Sequence, residues 1–264
     1  MPFGLYNHQV LHFRDENPGK DRAFVFVNAL GTDLRIWDEV VADYAGEFRI
    51  LRYDLRGQGL SDAPPPPYTI DDHVADLAAL LDARKIRGAV VVGMSVGGMV
   101  ALALAAARPD LARLLVLCDT AHKIGTPEMW SARIEAVRAN GLASIADAVL
   151  ERWLSAEYRQ RHAVDLAGYR NMLTRNSPEG YIGTCATLRD TNLTSVAPRS
   201  TQPTLCLVGE ADGATPPALV QSLSALIPNA AFETIPDAGH LPCIEQPGSL
   251  SSRIESFVRR NWSA

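Results

Sequence analysis

The sequence lacks the features that mark nucleic-acid-binding and membrane proteins. Its 264 residues carry a formal charge of -5 without any run of lysines and arginines, so no patch for nucleic acid or anionic lipid is predicted. No segment approaches the roughly 18 consecutive apolar residues that span a bilayer, and the opening residues lack the basic start and apolar stretch of a secretory signal. We therefore expect a cytoplasmic protein whose partner is a small molecule.

Cysteine is scarce, and the common cofactor motifs are missing. The four cysteines are far apart and show no CxxC spacing, and two of them, Cys118 and Cys206, lie inside apolar runs. This usage is typical of buried free thiols in a reducing compartment. The sequence contains no HExxH, no GxxxxGK[ST] and no glycine-rich dinucleotide fingerprint, so we expect neither a metal nor a cofactor.

Short β-branched runs alternate with longer segments of helical apolar spacing. This alternation predicts an α/β fold, a mostly parallel sheet with helices on both faces. The strand-like runs are AFVFVN, FRILRYD, AVVVG, RLLVLCD, TLCLVG and AFETIP, and helical spacing covers Asp71–Arg84, Met99–Arg108 and Gly248–Arg260. From about residue 120 to 195 the strand-like runs stop, and the chain becomes helical and rich in arginine and aromatic residues. We expect a core in two parts, residues 1–119 and 196–264, with a helical cap inserted at 120–195.

One serine stands between glycines at the junction of a predicted strand and a predicted helix. The run Gly93-Met94-Ser95-Val96-Gly97 fits G-x-S-x-G, and its context is the one that a nucleophile elbow requires. In such a turn, small flanking residues leave room for a strained serine whose oxygen stands above the sheet edge. The pattern predicts that Ser95 is a nucleophile, the alternative being an ordinary glycine-rich loop.

A nucleophilic serine needs a base, and the base needs an acid that orients it. Asp212 follows the strand-like run TLCLVG, with Thr215 expected as a helix N-cap, and His240 follows the next run, AFETIP. The order serine, aspartate, histidine, each after a separate strand, is the one described for α/β-hydrolases. Asp119, at the end of RLLVLCD, is an alternative acid.

The third requirement is a pair of backbone donors for the negative charge of a tetrahedral intermediate. The amide of Val96, directly after the serine, is one candidate. The turn after the first buried strand-like run offers the amide of Leu30, with Gly31 easing the turn. A purely structural turn is the alternative.

Several longer motifs resemble known enzymes. RYDLRGQGLSD, VVVGMSVGGM and DAGHLPCIEQP are similar to the signature, elbow and histidine loop of the α/β-hydrolase superfamily. More narrowly, NALGTDLRIW, IGTPEMWSARIEAVR and SPEGYIGTCATLRD resemble the 3-oxoadipate enol-lactonases of the β-ketoadipate pathway. Asn28 and Gln58 depart from the superfamily, in which histidine is frequent at both positions.

The resemblance implies an α/β-hydrolase fold and a cofactor-free lactonase of aromatic catabolism. Ser95 would attack the ring ester to form an acyl-enzyme, with His240 as base, Asp212 as acid and the Leu30 and Val96 amides as oxyanion donors. Two alternatives remain at this point. One is a carboxylesterase or carbon-carbon bond hydrolase with the same triad, and the other is a ligand receptor that keeps the triad.

The cap is expected to select the substrate. The family's substrate carries a free carboxylate, and a buried carboxylate needs a charged partner to replace its hydration. Arg133 lies three residues after Trp130, so on a helix the two share a face. Trp153 is a second candidate for the apolar wall, and the alternative is that Arg133 is a solvated surface charge. The sequence makes no prediction of the oligomeric state.

Overall fold

The computed structural model describes residues 2–44 and 46–262, and these form one eight-stranded sheet covered by helices. The strand bounds are β1 Phe3–Tyr6, β2 Gln9–Glu16, β3 Ala23–Val27, β4 Arg49–Tyr53, β5 Ala89–Met94, β6 Ala112–Cys118, β7 Thr204–Gly209 and β8 Ala231–Ile235. All six strands predicted from the sequence are present. The N-terminal strands β1 and β2 were not predicted.

The sheet has the order β1-β2-β4-β3-β5-β6-β7-β8. β1 and β2 form an antiparallel hairpin, β2 pairs antiparallel with β4, and the remaining pairs are parallel. The central strands β3, β4, β5 and β7 are buried at every residue, as expected where helices cover both faces. The predicted mostly parallel sheet is confirmed.

Eleven α-helices are present in the described residues. Their bounds are α1 Asp38–Ala42, α2 Ile70–Ala83, α3 Val96–Ala107, α4 Pro127–Asn140, α5 Ala146–Trp153, α6 Ala156–Arg161, α7 Ala163–Thr174, α8 Pro178–Asp190, α9 Pro217–Leu226, α10 Pro242–Glu245 and α11 Pro247–Asn261. The three helices predicted from apolar spacing correspond to α2, α3 and α11. Among the described helices, none combines the length and apolar character that crossing a bilayer requires. The cytoplasmic location stays a prediction.

The helices α4 to α8 lie between β6 and β7, and this stretch contains no strand, as the sequence predicted. We call these five helices the cap. The domain boundaries at 119/120 and 195/196 remain predictions. Because β3, β5, β6, β7 and β8 run parallel, the loops that follow them meet at one edge of the sheet, beneath the cap.

Candidate active site

Ser95 occupies a tight turn between β5 and α3. Its backbone has φ 57° and ψ -119°, a region that non-glycine residues rarely adopt. A Cβ on Gly93 would lie 2.3 Å from the Gly97 carbonyl oxygen, and a Cβ on Gly97 would lie 2.4 Å from the Val27 carbonyl oxygen. Glycine is therefore required on both sides of the turn. The Ser95 amide donates to the Cys118 carbonyl at 2.9 Å, which ties the turn to the next strand.

Asp212 and His240 form a buried pair beside this turn. Asp212 lies between β7 and α9, His240 lies between β8 and α10, and Nδ1 of the histidine is 2.9 Å from Oδ2 of the aspartate. Since the carboxylate is an acceptor, Nδ1 carries the proton, and Nε2 is left with its lone pair. This is the tautomer that a general base requires.

The loop that holds Asp212 satisfies its carboxylate fully. Oδ1 accepts the amides of Ala214 and Thr215 at 2.7 and 3.0 Å, and the Thr215 hydroxyl donates to Oδ2 at 2.6 Å. Burial by itself would raise the pKa of Asp212, but the His240 charge and these hydrogen bonds outweigh it and lower the pKa to about 2. Asp212 therefore stays ionised at any working pH.

The expected helix N-cap at Thr215 is wrong. The helix α9 begins at Pro217 with Pro216 as its N-cap, and no side chain caps it. Thr215 instead turns its hydroxyl toward the triad, 2.6 Å from Asp212 Oδ2 and 3.3 Å from His240 Nδ1. The hydroxyl is directed to the Asp212 carboxylate because a hydrogen bond to a charged group is stronger than one between neutral groups.

Asp119 does not contact the histidine through a hydrogen bond. It is fully buried with φ 48°, its Oδ1 accepts the Gly209 amide at 2.8 Å, and its Oδ2 has no partner among the described residues. Burial and the nearby Asp212 charge raise the pKa of Asp119 well above its usual value. The structure thus places Asp212, and not Asp119, against the imidazole.

The donor atoms of Asp119, Asp212 and His240 lie within 4.8 Å of one another, a spacing compatible with a metal ion. Both oxygens of Asp212, however, already accept hydrogen bonds from its loop and from His240. The arrangement fits a proton-transfer pair better than a set of free metal ligands.

The predicted oxyanion donors lie at two different elements. Leu30 follows β3 in a turn, and together with Ser95 and His240 it lines one pocket beneath the cap. Val96 is the first residue of α3 and is fully buried, and it is not among the residues that line this pocket. Within residues 2–44 and 46–262, neither the Leu30 amide nor the Val96 amide donates a hydrogen bond to another group.

Ser95 is 6% exposed, and the hydrogen bonds that it makes to described residues involve its backbone amide and carbonyl but not its hydroxyl. Ser95 and His240 nevertheless line the same pocket. Such catalytic hydrogen bonds are often long before substrate binds, because they tighten in the reacting complex.

Cap residues form the opposite wall of this pocket. Trp130, Arg133 and Trp153, all singled out from the sequence, line it, and the Arg133 guanidinium lies 5.5 Å from the Trp130 ring centroid. Arg133 also donates weakly to the Tyr181 hydroxyl at 3.5 Å. The spacing argument that placed Trp130 and Arg133 on one face is confirmed.

Arg152 is a charged pocket residue that the sequence analysis did not single out. It is half-buried at the end of α5 and lines the pocket together with Arg133. The ion pairs of the cap involve other arginines, and in the described part of the chain neither Arg133 nor Arg152 has a carboxylate partner. The adjacency to Trp153 was visible in the sequence, but the direction of its side chain depends on how α5 packs.

Comparisons with known proteins agree with this geometry. A family model described as the alpha/beta hydrolase fold matches residues 22–247. The chain is 30% identical to 3-oxoadipate enol-lactonase 2 of Acinetobacter baylyi, over 95% of this chain and 98% of that protein. It is 32% identical to 3-oxoadipate enol-lactonase 1 of the same organism, over 95% and 94%.

Two solved structures are similar over nearly their whole length. The enol-lactonase from Burkholderia xenovorans LB400 superposes with a TM-score of 0.95 at 37% identity, covering 98% of this chain and 100% of that one. A thermophilic esterase from Thermogutta terrifontis gives a TM-score of 0.91 at 30% identity, covering 98% and 97%. These likenesses confirm the resemblance inferred from the motifs, and the chain belongs to the α/β-hydrolase family.

Proposed function

We propose that this protein is a serine hydrolase that opens the ring of 3-oxoadipate enol-lactone, or of a close acidic lactone, to give the 3-oxo acid. The observation that carries the proposal is one pocket whose floor holds Ser95, His240 and Leu30 and whose cap wall holds two arginines without carboxylate partners. The similarity to proteins named 3-oxoadipate enol-lactonases supports the same substrate.

The chemistry follows from the hydrogen bonds. Ser95 Oγ attacks the ring carbonyl while His240 Nε2 takes its proton, and Asp212 stabilises the imidazolium that forms. The Leu30 and Val96 amides, which have no other acceptor among the described residues, bind the oxyanion. Collapse breaks the ring C–O bond and gives an acyl-enzyme.

The leaving group favours ring opening, and water then releases the product. The ring oxygen leaves as an enolate, which takes the proton that His240 Nε2 received from Ser95 and ketonises to the 3-oxo group. A water molecule then gives a proton to His240 and attacks the acyl-enzyme, and His240 passes this proton to Ser95 Oγ as the second carboxylate of the product is released. The net reaction adds one water to the lactone and requires no cofactor.

Arg133 and Arg152 would bind the carboxylate that the lactone carries outside its ring. Both are half-buried, where a charge-assisted hydrogen bond is stronger than in open solvent. Trp130 and Trp153 would cover the apolar ring, and the Trp130 indole is already fixed by donating to the Ile124 carbonyl at 2.6 Å. The Trp130 side of the wall is thus held by a hydrogen bond, and the two arginines have no carboxylate partner among the described residues.

The test is the spectrophotometric disappearance of the enol-lactone with purified protein. We expect turnover within the range of about 1 to 1,000 per second that is typical of enzymes. The Ser95→Ala variant is the control for the active site. Absence of lactone turnover in the wild-type protein, or undiminished turnover in the variant, would contradict the proposal.

A carboxylesterase is the second candidate, since the Thermogutta terrifontis protein of similar structure is named an esterase. The same floor would serve it, and only the substrate preference differs. A kcat/KM for a neutral aryl ester well above that for the enol-lactone would favour this candidate. The relatives reported above are named as enzymes, so the receptor alternative has no support from them.

A further inference from the structure

The Leu30 amide belongs to the peptide group that joins Ala29 to Leu30. In a trans peptide the C=O and the N–H point to opposite sides, so fixing one fixes the other. The Ala29 carbonyl accepts the Thr32 hydroxyl at 2.8 Å and the Thr32 amide at 3.2 Å. The direction of the Leu30 N–H is therefore set by what holds the turn from Ala29 to Thr32, which we call the oxyanion turn.

Gly31, inside this turn, is held on both sides by side chains from distant segments. Its N–H donates to Gln58 Oε1 at 2.7 Å, and its carbonyl accepts Asn176 Nδ2 at 3.0 Å. Gly31 has φ 79°, and a Cβ there would lie 2.7 Å from a methyl group of Leu173. Gln58 of the core therefore holds the turn by a hydrogen bond, and Leu173 of the cap packs against it.

Asn176 holds the turn from the cap side. It lies between α7 and α8, is 7% exposed, and uses both ends of its amide. Nδ2 donates to the carbonyl of Gly31 and to that of Met172 in α7 at 2.9 Å, and Oδ1 accepts the Gly59 amide at 2.9 Å. One side chain therefore joins a cap helix, the oxyanion turn and the loop after β4 that carries Gln58.

We propose that Asn176 is a positioning residue of the oxyanion hole, which acts with Gln58 to keep the Leu30 N–H aimed at the developing charge. The Asn176 amide supplies a donor to Gly31 and an acceptor to Gly59 at once. Transition-state stabilisation then depends on the docked position of the cap, beyond the cap's role in binding. This inference rests on the serine mechanism proposed above.

Preorganised donors act on the transition state more than on the ground state, and this difference gives the test. Asn176→Asp keeps the acceptor for Gly59 but removes the donor to Gly31. Asn176→Ala removes both. We expect kcat to fall about 10- to 100-fold, because small misplacements at a reacting centre have effects of that size. KM should stay within about threefold, since uniform binding is not changed.

The decisive probe is a trifluoromethyl ketone, which adds to a serine and leaves a tetrahedral oxyanion. Its inhibition constant should rise by the same factor as kcat falls, while inhibition by the product 3-oxo acid stays unchanged. Thr187→Val is the matched control, because its hydroxyl donates from the cap to the core carbonyl of Tyr68 at 3.0 Å without touching the oxyanion turn. We expect this control to change ketone inhibition less than threefold.

Gln58 provides a second route if the Asn176 variants fail to fold. Gln58→Met removes the acceptor for the Gly31 N–H, so it should lower kcat and weaken ketone inhibition while KM stays within about threefold. Gln58→Glu keeps an acceptor and should restore kcat and ketone inhibition in part. Unchanged ketone inhibition in these variants, or an equal loss in Thr187→Val, would overturn the inference. If Ser95→Ala is inactive while the Asn176 variants behave as wild type, this inference alone fails and the proposed function stands.

Discussion

The sheet edge and the cap form the two walls of one pocket, and they differ in how fully their charged side chains are paired. At the edge, Ser95, Asp212 and His240 are each at most 6% exposed, and Asp212 has a donor for every oxygen that it presents. In the cap, the helix α6 buries no residue, and the two pocket arginines lack carboxylate partners within the described residues. At the edge the catalytic carboxylate is fully hydrogen-bonded, whereas the cap holds two cationic side chains without carboxylate partners among the described residues.

This difference suggests a division of labour. A fixed set of hydrogen bonds suits the transition state, which is the same for any ester, and unpaired guanidinium groups suit one class of substrate. Changes at the edge should therefore reduce turnover of all esters equally. Changes at the cap arginines should reduce turnover of acidic lactones alone.

The largest effect is expected for Ser95→Ala. Without the nucleophile only binding and the oxyanion hole remain, so kcat should fall by at least about 10⁴-fold on both an acidic lactone and a neutral ester. The fold should survive, because the hydrogen bonds of Ser95 to described residues involve its backbone and not its side chain. Steady-state kinetics measure the loss of kcat, and circular dichroism checks that the variant is folded. Residual turnover near the wild-type rate would remove Ser95 from the mechanism.

The two buried aspartates should differ sharply. Asp212→Asn should lower kcat by about 10⁴-fold, because the imidazole loses the partner that fixes its tautomer. Asp119→Asn should change kcat less than about tenfold, since Asp119 makes no hydrogen bond to His240. Parallel assays of the two variants decide the matter. An active Asp212→Asn beside an inactive Asp119→Asn would transfer the role of acid to Asp119.

A cap variant should separate the substrates. Arg133→Ala should weaken binding of the acidic lactone by about 1.5 to 3 kcal/mol, the size of a charge-assisted hydrogen bond, and leave a neutral ester nearly unaffected. Arg138→Ala is the matched control, because Arg138 lies on the same helix but is exposed and paired with Glu135. Equal losses on both substrates would indicate a role in cap stability, and no loss on either would place Arg133 among the solvated charges.

The next prediction concerns stability at the edge, where no change of activity is measured. Burial and Asp212 raise the pKa of Asp119 above its ordinary value of 3.8, so the folded state holds a proton that the unfolded state has lost. The free energy of unfolding should then fall as pH rises above about 4, by at most about 1.4 kcal/mol per pH unit. Asp119→Asn cannot lose this proton.

Urea unfolding of both proteins at several pH values measures this difference. The stability of the Asp119→Asn variant relative to wild type should increase from pH 4 to pH 7. Asparagine also tolerates the positive φ at this position, so backbone strain does not confuse the result. A difference in stability that does not change with pH would show that Asp119 is ionised in the folded protein.

The sequence predicts the edge better than the cap for a physical reason. The turn at Ser95 is specified locally, since Gly93 and Gly97 are each needed within two residues of the serine. Asp212 and His240 each follow a strand, so the topology of a parallel sheet brings them to the same edge. Spacing along one helix placed Trp130 beside Arg133 for the same local reason.

What the sequence did not reveal depends on packing between distant segments. Arg152 reaches the pocket only because of how α5 packs, and Asn176 meets the oxyanion turn across 145 residues of chain. Thr215 was expected to cap α9, but its hydroxyl donates to the Asp212 carboxylate instead. The hairpin β1–β2 was missed because its alternating pattern buries little besides Leu11 and Phe13.

The division of labour is tested most directly by a pair of substrates that differ in one charge. These are the acidic enol-lactone and the same lactone with its carboxylate replaced by a carboxamide, assayed on the wild type and on an Arg133→Ala, Arg152→Ala double variant. We expect the wild type to prefer the acid in kcat/KM by at least about tenfold, and the double variant to lose the preference while its carboxamide turnover stays within about threefold. A preference that persists without both arginines, or an equal fall on both substrates, would contradict the account.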